Sequence, residues 1–550
     1  MPELSTAVPP VTTPAGNPLV SRTFLGLLVA QFLAAFNDQA IHASAMFFAI
    51  NTQTLTEENA ITLMPILFYA PWAIFCTVAG YLADRYSKRR ALVLWKVAEV
   101  GITALAVLGF YLGRQSDPVL GSWVLLGCVF LMGTHSAFFV PAKYGIMPEI
   151  LPKEQLSKGN GILESLSFLA VILGTVCGGV LSYLYQRQEV VIGLILFALA
   201  VVGAAASLLI RNVPASNPTR EFPRYVYAPI VANVRTLASV PALRLVLVGL
   251  VFFTFVVAFM RAAVYMLGES QNPRWDELKT SAIVGTVALG IGLGSPLAGW
   301  LSGKRIELRL VLLGAAGMIA SLIAAAYYID AVPVLVGCIV LIGFSTGFYI
   351  VPLFTLLQHK APKASKGDMI ATSNCVNTTG AIAATLLFKL VVVGAHAVGL
   401  SPEVTDRQPV ADGVLTRLDL HHGRPVYFEV RQPDGAVVTG GTPAVERKHR
   451  SLGELVDELA TSHGSNEVLE LHRAVAVRIP DGGPYQPVAV SRFTVVGVVH
   501  YDLVPAGVPP AADYDNRYLP RYLFIGAALL TLGMLVAILR PVYRVQREGV

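Results

Sequence analysis

Asp38 lies in the run Phe36-Asn37-Asp38-Gln39, inside a stretch otherwise dominated by Leu, Ala, Phe and Ile. Gln31 comes seven residues earlier, two helical turns, so the two share one face of any helix formed there. Lys143 interrupts a second apolar segment just after Pro141, in Phe138-Phe-Val-Pro-Ala-Lys-Tyr-Gly-Ile-Met-Pro-Glu149, and Arg261 interrupts a third. A carboxylate and two cations set in apolar sequence offer the pairing of opposite charge. Two uses fit Asp38 and Arg261: an ion pair that holds two halves of the protein together, or recognition of a charged solute in a cavity between them. Glu164, Lys96, Glu99, Asn374 and Asn377 complete the polar inventory. Lys96 and Glu99, three residues apart, are placed to neutralise each other on one helix.

The elements that must carry these groups are long. Apolar residues make up 54% of the 550, charged residues 14%, and mean hydropathy is +0.61, which excludes an ordinary soluble domain of this length. Twelve segments are long and apolar enough to span a bilayer: 24–50, 60–82, 91–113, 122–147, 160–185, 189–210, 244–267, 281–302, 308–329, 332–356, 369–400 and 521–543. With both termini inside, the inner segments hold 21 Lys/Arg, from Arg22 through Arg547, and the short outer loops hold four, Arg114, Arg187, Arg274 and Lys279. Residues 1–21 are Pro/Thr-rich and read as a disordered cytoplasmic tail rather than a signal peptide. The five cysteines all fall inside spans and read as packing residues, with no disulfide framework or metal site.

Between the second and third spans runs Gly80-Tyr-Leu-Ala-Asp-Arg-Tyr-Ser-Lys-Arg-Arg90. Gly80 allows close backbone approach, and Asp84 can pair with an arginine or a neighbouring helix N-terminus. Arg85, Lys88, Arg89 and Arg90 hold the loop outside the hydrocarbon. Glu149, at the inner end of its span, belongs with this loop as a gate or interface residue. The chain also repeats itself: Leu131-Met-Gly-Thr-His-Ser-Ala-Phe-Phe-Val-Pro141 returns as Leu341-Ile-Gly-Phe-Ser-Thr-Gly-Phe-Tyr-Ile-Val-Pro352, and Ala298-Gly-Trp-Leu-Ser-Gly-Lys-Arg305 echoes the basic loop. A six-plus-six duplication follows. The halves are 22–211 and 242–400 with a last helix in 516–550. They are joined by a linker, 212–241, whose Tyr225–Leu237 stretch predicts an amphipathic helix drawn to anionic lipid by Arg224 and Arg235. Small-xxx-small spacing at Gly174/Gly178, Gly290/Gly294 and Gly299/Gly303 predicts close helix contacts.

Residues 401–515 interrupt the last pair of spans. Over 401–520 there are 16 Asp/Glu against 11 Lys/Arg, an acidic block on the outer side. Its pattern predicts a small α+β module: a hairpin of 425–430 and 436–439 around Pro433-Asp434-Gly435, a capped helix over 451–461, and strands over 470–479 and 487–500. His421, His422, His449, His463, His472 and His500 lack metal-ligand spacing.

The loop order Gly-x-Leu-Ala-Asp-Arg-x-x-Lys-Arg-Arg resembles the signature loop of the major facilitator superfamily. Asn37-Asp38, the Phe138–Ile150 run and Gly159-Asn-Gly-Ile-Leu-Glu-Ser165 resemble the bacterial lysophospholipid transporter branch, whose likeness covers the first half well, the second moderately and the insert not at all. Asn37-Asp38-Gln39 and Ile41-His-Ala-Ser44 depart from that branch's pattern. The resemblance implies twelve helices in two six-helix halves, with an extracytoplasmic α+β insert, in the bacterial inner membrane. It implies movement of lysophosphatidylethanolamine-class lipids from outer to inner leaflet by alternating access. Asp38, Lys143 and Arg261 match positions expected to handle the headgroup, its phosphate suiting the cations and its ammonium the carboxylate. Asn37, Glu164, Gln31, Asn374 and Asn377 join them as candidate substrate contacts.

No histidine is followed by Asp at the fifth position, the acyltransferase arrangement, so an enzyme on this chain is not expected and acylation would fall to a separate protein. No cofactor, metal or nucleic acid is expected, and a monomer is. The alternative reading is a cation-coupled exporter of amphipathic small molecules or drugs with Asp38 as the proton site. A third treats 401–515 as an interaction module anchored by the helices.

Overall fold

A computed structural model describes residues 17–52, 54–55, 57–185, 188–271, 275, 277–303, 305–421, 424–441, 467–471, 487–495, 497–507 and 514–547. Among them twelve helices are long and apolar enough to cross a membrane. They are α1 (Arg22–Asn51), α2 (Glu57–Arg85), α3 (Lys88–Gln115), α4 (Pro118–Ile150), α5 (Lys153–Leu184), α6 (Val190–Ser207), α8 (Pro241–Glu269), α9 (Glu277–Leu301), α10 (Arg309–Tyr327), α11 (Val332–Lys360), α12 (Lys366–Ala397) and α13 (Leu519–Arg547), with the shorter α7 (Ala228–Ser239) in the linker. Leu94, Leu194, Leu293, Leu390 and Val536 stand more than half exposed on their outer faces, which suits hydrocarbon and not water.

The helices outrun the apolar windows that predicted them, because polar turns at their ends are capped or packed. Ser21 accepts the Phe24 N–H at 3.2 Å to start α1, and Asp117 accepts from Val119 at 2.8 Å with Pro118 beginning α4. α5 begins at Lys153, directly after Pro152, and its first polar turns pack on α9 and α11. α7 starts three residues later than predicted, since Pro229 in its first turn fixes the entry.

Where helices cross, glycines let backbones touch. A Cβ on Gly174 would lie 2.4 Å from the Phe36 carbonyl oxygen, and one on Gly294 would lie 2.1 Å from that of Phe344. Gly303 does not belong with them: it has φ +60° and open space around it, so it is a turn residue after α9. Helix pairs that pack across the two halves are α2 with α12, α5 with α9, α4 with α11 and α12, and α5 with α11. Among the described residues α1 and α8, which carry Asp38 and Arg261, do not pack closely on each other.

Between α12 and α13 lies a six-stranded sheet of β1 (Gln408–His421), β2 (Arg424–Arg431), β3 (Val437–Gly441), β4 (Glu467–Leu471), β5 (Pro487–Val495) and β6 (Val498–Pro505), in the order β3-β2-β1-β5-β6-β4. Leu415, Phe428, Val430, Val488, Val490 and Leu503 form its own small core. The predicted β2–β3 hairpin closes at Gly435, φ +87°. The single strand predicted over 487–500 is instead two, paired antiparallel and turning near Gly497 at φ +80°; the unbroken Val-Val-Gly-Val-Val run conceals the turn. β1 was not predicted, because irregular register on both its neighbours breaks the alternation that reveals a strand. The predicted helix over 451–461 and most of the predicted strand over 470–479 lie outside the described residues. His396, near the end of α12, stacks on Tyr514 at 3.7 Å between ring centroids and 3° between planes, tying the module to the helices.

Candidate functional site

Asp38 reaches the middle of the first half from α1. Ser136 on α4 donates to its Oδ2, and His135 Nδ1 on the same helix stands 4.0 Å from Oδ1, an oxygen left without a hydrogen bond. Behind it, Lys96 and Glu99 of α3 pair at 2.5 Å with both side chains wholly buried, as their spacing predicts. Asn37 donates to Glu99 at 2.9 Å and to the Leu196 carbonyl at 3.3 Å, and His135 Nε2 lies 3.4 Å from Glu99 without hydrogen-bond alignment. Asn37 is therefore absorbed into an internal network of α1, α3, α4 and α6. Gln31 likewise serves its own half, donating to Ser167 of α5 at 3.1 Å.

Two turns further along α4, Lys143 is buried with its ammonium 4.3 Å from the Tyr144 ring centre, and its charged neighbours are Glu164 and Asp38. Tyr144 donates to Glu164 and stacks on Phe354 of the second half at 4.9 Å. Arg261 is set apart on α8, exposed, with its guanidinium 5.8 Å from the Tyr265 ring centre, and its field reaches His42 on α1. No ion pair joins Asp38 to Arg261 among the described residues, so the structural pairing weighed from sequence is not made. Asn374 and Asn377 on α12 are half-buried, and each leaves one amide atom without a partner, as does the indole Nε1 of Trp72 on α2.

Below this layer the halves close on each other at the end that carries the basic loop. Asp84 accepts the backbone N–H groups of Gly367 at 2.8 Å and Asp368 at 3.0 Å, where its charge meets the N-terminus of α12. Arg220 of the linker bridges the halves, 3.1 Å from Asp84 and 2.7 Å from Asp368. Asn233 of α7 donates to Asp368 at 2.8 Å and Thr372 at 3.0 Å. A Cβ on Gly80 would lie 2.7 Å from the Asp368 Cα, so only glycine permits this approach.

The basic residues divide their work. Lys88 is fully buried and pairs with Glu149 at 2.6 Å, so it is a clamp rather than a solvated charge; it also donates to Ser216. Arg85 donates to the Arg220 carbonyl at 2.7 Å and Arg89 to that of Leu208 at 3.4 Å, while Arg90 is exposed. Nearer the centre, Asn160 of α5 and Gln358 of α11 exchange amide hydrogen bonds, and Ser165 donates to the Gly292 carbonyl at 2.6 Å. Sequence reasoning missed Arg220, Asn233, Asp368, Asn160 and Gln358 as closure residues, and His135, Ser136 and Tyr144 as partners of the buried carboxylates. Only the Gly159-Asn-Gly run marked one of their neighbourhoods. Among the described residues no three His, Cys, Asp or Glu side chains are grouped to hold a metal ion.

The chain matches the profile of the Major Facilitator Superfamily over residues 27–385, more than half of its length. It is 27% identical over 388 residues to the lysophospholipid transporter LplT of Serratia proteamaculans (strain 568), covering 69% of this chain and 91% of that protein. It is also 27% identical over 394 residues to LplT of Yersinia pestis (strain Pestoides F), covering 70% and 91%. In fold it resembles a bacterial homologue of the iron transporter ferroportin crystallised in an outward-facing state, with a TM-score of 0.53 at 15% identity over 69% of this chain and 94% of that one. The crystal structure of the transporter FucP in the outward conformation gives 0.51 at 16% identity, covering 68% and 92%. At such identities these two likenesses speak for the fold alone.

Proposed function

Since the chain belongs to the Major Facilitator Superfamily, we propose that it is a secondary transporter moving lysophospholipids of the lysophosphatidylethanolamine class from the outer to the inner leaflet of the bacterial inner membrane. The observation that carries this reading is the unpartnered Asp38 oxygen on one half, with buried Lys143 on the same half within reach of its charge and Arg261 on the second half. A zwitterionic headgroup supplies the missing partners: its ammonium for Asp38, its phosphate for the two cations. The free Asn374 Nδ2 can donate to an ester oxygen and the free Asn377 Oδ1 can accept from the glycerol hydroxyl, while Lys143 lies against the Tyr144 ring and in the field of Glu164. Relatives called lysophospholipid transporters across most of their length support the same reading.

Both termini and the basic loop are cytoplasmic in this reading, and the sheet between α12 and α13 is extracytoplasmic. The pose is then closed inward by Asp84, Arg220, Lys88 and Glu149, with α1 and α8 apart on the outer side to admit a lipid. Alternating access breaks this clamp while the outer side closes. The protein acts as a monomer, and a separate acyltransferase consumes the product. Uptake of labelled lysophosphatidylethanolamine into spheroplasts expressing the chain tests this reading. Loss in both Asp38→Asn and Arg261→Gln at matched abundance is expected, and no uptake by the unaltered chain overturns it.

A second reading rests on Asp38 as a proton site: its Oδ1 has no hydrogen bond and lies 4.0 Å from His135 Nδ1, whose other ring nitrogen is 3.4 Å from Glu99. A proton held on Asp38, with His135 as its neighbour, suits a cation-coupled exporter of amphipathic small molecules. Efflux of a cationic dye driven by an imposed proton gradient, without lysolipid uptake, would favour it.

A further inference from the structure

The linker has two faces with different obligations. Its inner face is committed to the closure: Arg220 reaches Asp84 and Asp368, Asn233 reaches Asp368 and Thr372, the Asn217 N–H donates to the Asp84 carbonyl at 2.9 Å, and Leu237 is wholly buried. Its outer face exposes Tyr225, Tyr227 and Val231 alongside Arg224 and Arg235, while half-exposed Phe222 packs edge-on against Tyr81 of α2; Arg244 is exposed at the start of α8 and Glu221 is the one acid in the stretch. Exposed aromatics interleaved with arginines, in the turn that leads into a short helix carrying Val231 and Arg235 on its exposed side, have the composition of a membrane-interface surface. The surplus of positive charge selects among lipids.

We propose that the outer face of residues 224–235 is a binding surface for anionic phospholipid headgroups of the inner leaflet, and that its occupancy favours the closed clamp. The proposal rests on the cytoplasmic placement of this end. A lipid shifts a conformational equilibrium only by its preference for one state. Here that preference has a definite source: the pose that seats Tyr225, Tyr227 and Val231 outward is the one in which Asn233 and Arg220 hold Asp368. When the clamp opens, the linker loses its anchors on α2 and α12, and its outer face is no longer held in one plane. Anionic lipid thus acts on the inward gate without touching the headgroup site.

The test uses the full chain in nanodiscs of phosphatidylcholine alone or with one part in about five of phosphatidylglycerol, a content that gives an appreciable surface potential. Spin labels at Arg90→Cys and Lys363→Cys, exposed positions on opposite halves at the loop end, report the gate distance. Phosphatidylglycerol should raise the ratio of short to long distances by about tenfold. The double variant Arg224→Gln/Arg235→Gln should erase that response and leave the distribution in phosphatidylcholine unchanged. Asn233→Ala should lengthen the distance in both lipids, which separates lipid sensing from clamp integrity. An unaltered chain indifferent to phosphatidylglycerol, or a double variant that responds as the parent does, overturns the proposal. None of these readouts involves lysolipid, so failure of the transport reading is registered separately by uptake.

Discussion

The side-chain amides of Asn160 and Gln358 donate to each other across the two halves, at 3.0 and 2.9 Å, and Asn160 also donates to Thr355 at 3.1 Å. Both are fully buried, so either truncated alone leaves a buried amide unsatisfied, at about 1–3 kcal/mol. Asn160→Ala and Gln358→Ala should each shift the equilibrium away from this pose. Together they should cost less than their sum, the mark of two groups in one contact. Distance distributions between labels at the loop end check both expectations.

Asp84 carries the same closure with a charge. Its carboxylate serves two N–H groups of α12 and the Arg220 guanidinium, and removing one partner of a buried ion pair costs about 3–5 kcal/mol. Asp84→Asn should abolish transport while the protein keeps the size-exclusion profile of the unaltered chain. Arg220→Gln should do the same, because it leaves Asp84 and Asp368 facing each other without their shared cation.

If Asp38 receives an ammonium, substrates without one should not feel its loss. Asp38→Asn should therefore depress uptake of lysophosphatidylethanolamine by at least about tenfold, the loss of roughly one charge-assisted hydrogen bond, and spare lysophosphatidylglycerol. Arg261→Gln should depress both, since each carries the phosphate. Parallel uptake with the two labelled lipids decides.

Lys96 and Glu99 are buried together, so the pair is tolerant only as a pair. Lys96→Met alone strands the Glu99 charge beside Asn37 and His135 and should cost about 3–5 kcal/mol, whereas Lys96→Met/Glu99→Leu should recover much of it. The apparent melting temperature of the detergent-solubilised protein reads the difference. Transport should follow stability here, in contrast to Asp38→Asn.

The spans were legible because bilayer thickness sets a length and composition that a sequence cannot disguise, and the Gly80–Arg90 loop because its charges are consecutive. For Asp84 the sequence offers an arginine or a helix N-terminus as partner, and the fold gives it both. What could not be read is which helix and which arginine: Gly367 and Arg220 meet it only through the packing of α2 on α12. Asn37 shows the same limit on a smaller scale. Helical spacing puts it beside Asp38 but does not say that it turns inward to Glu99 while Asp38 faces Ser136. Lys88 belonged to a run of exposed-looking charges, and only the fold buries it against Glu149. In the sheet, local turn chemistry revealed the hairpin at Gly435, whereas β1 has no local signature because its partner strands lie on either side of it with irregular register.

α12 has a further mechanical consequence. Its first turn holds Asp368 in the clamp, and near its other end His396 lies flat against Tyr514, at the junction with α13. The 32 residues between its ends make a rod about 48 Å long, so a tilt of about 5° pivoted at the clamp carries the far end roughly 4 Å. The helix is a lever whose small rotation at the gate becomes a displacement of the junction with the sheet at its other end.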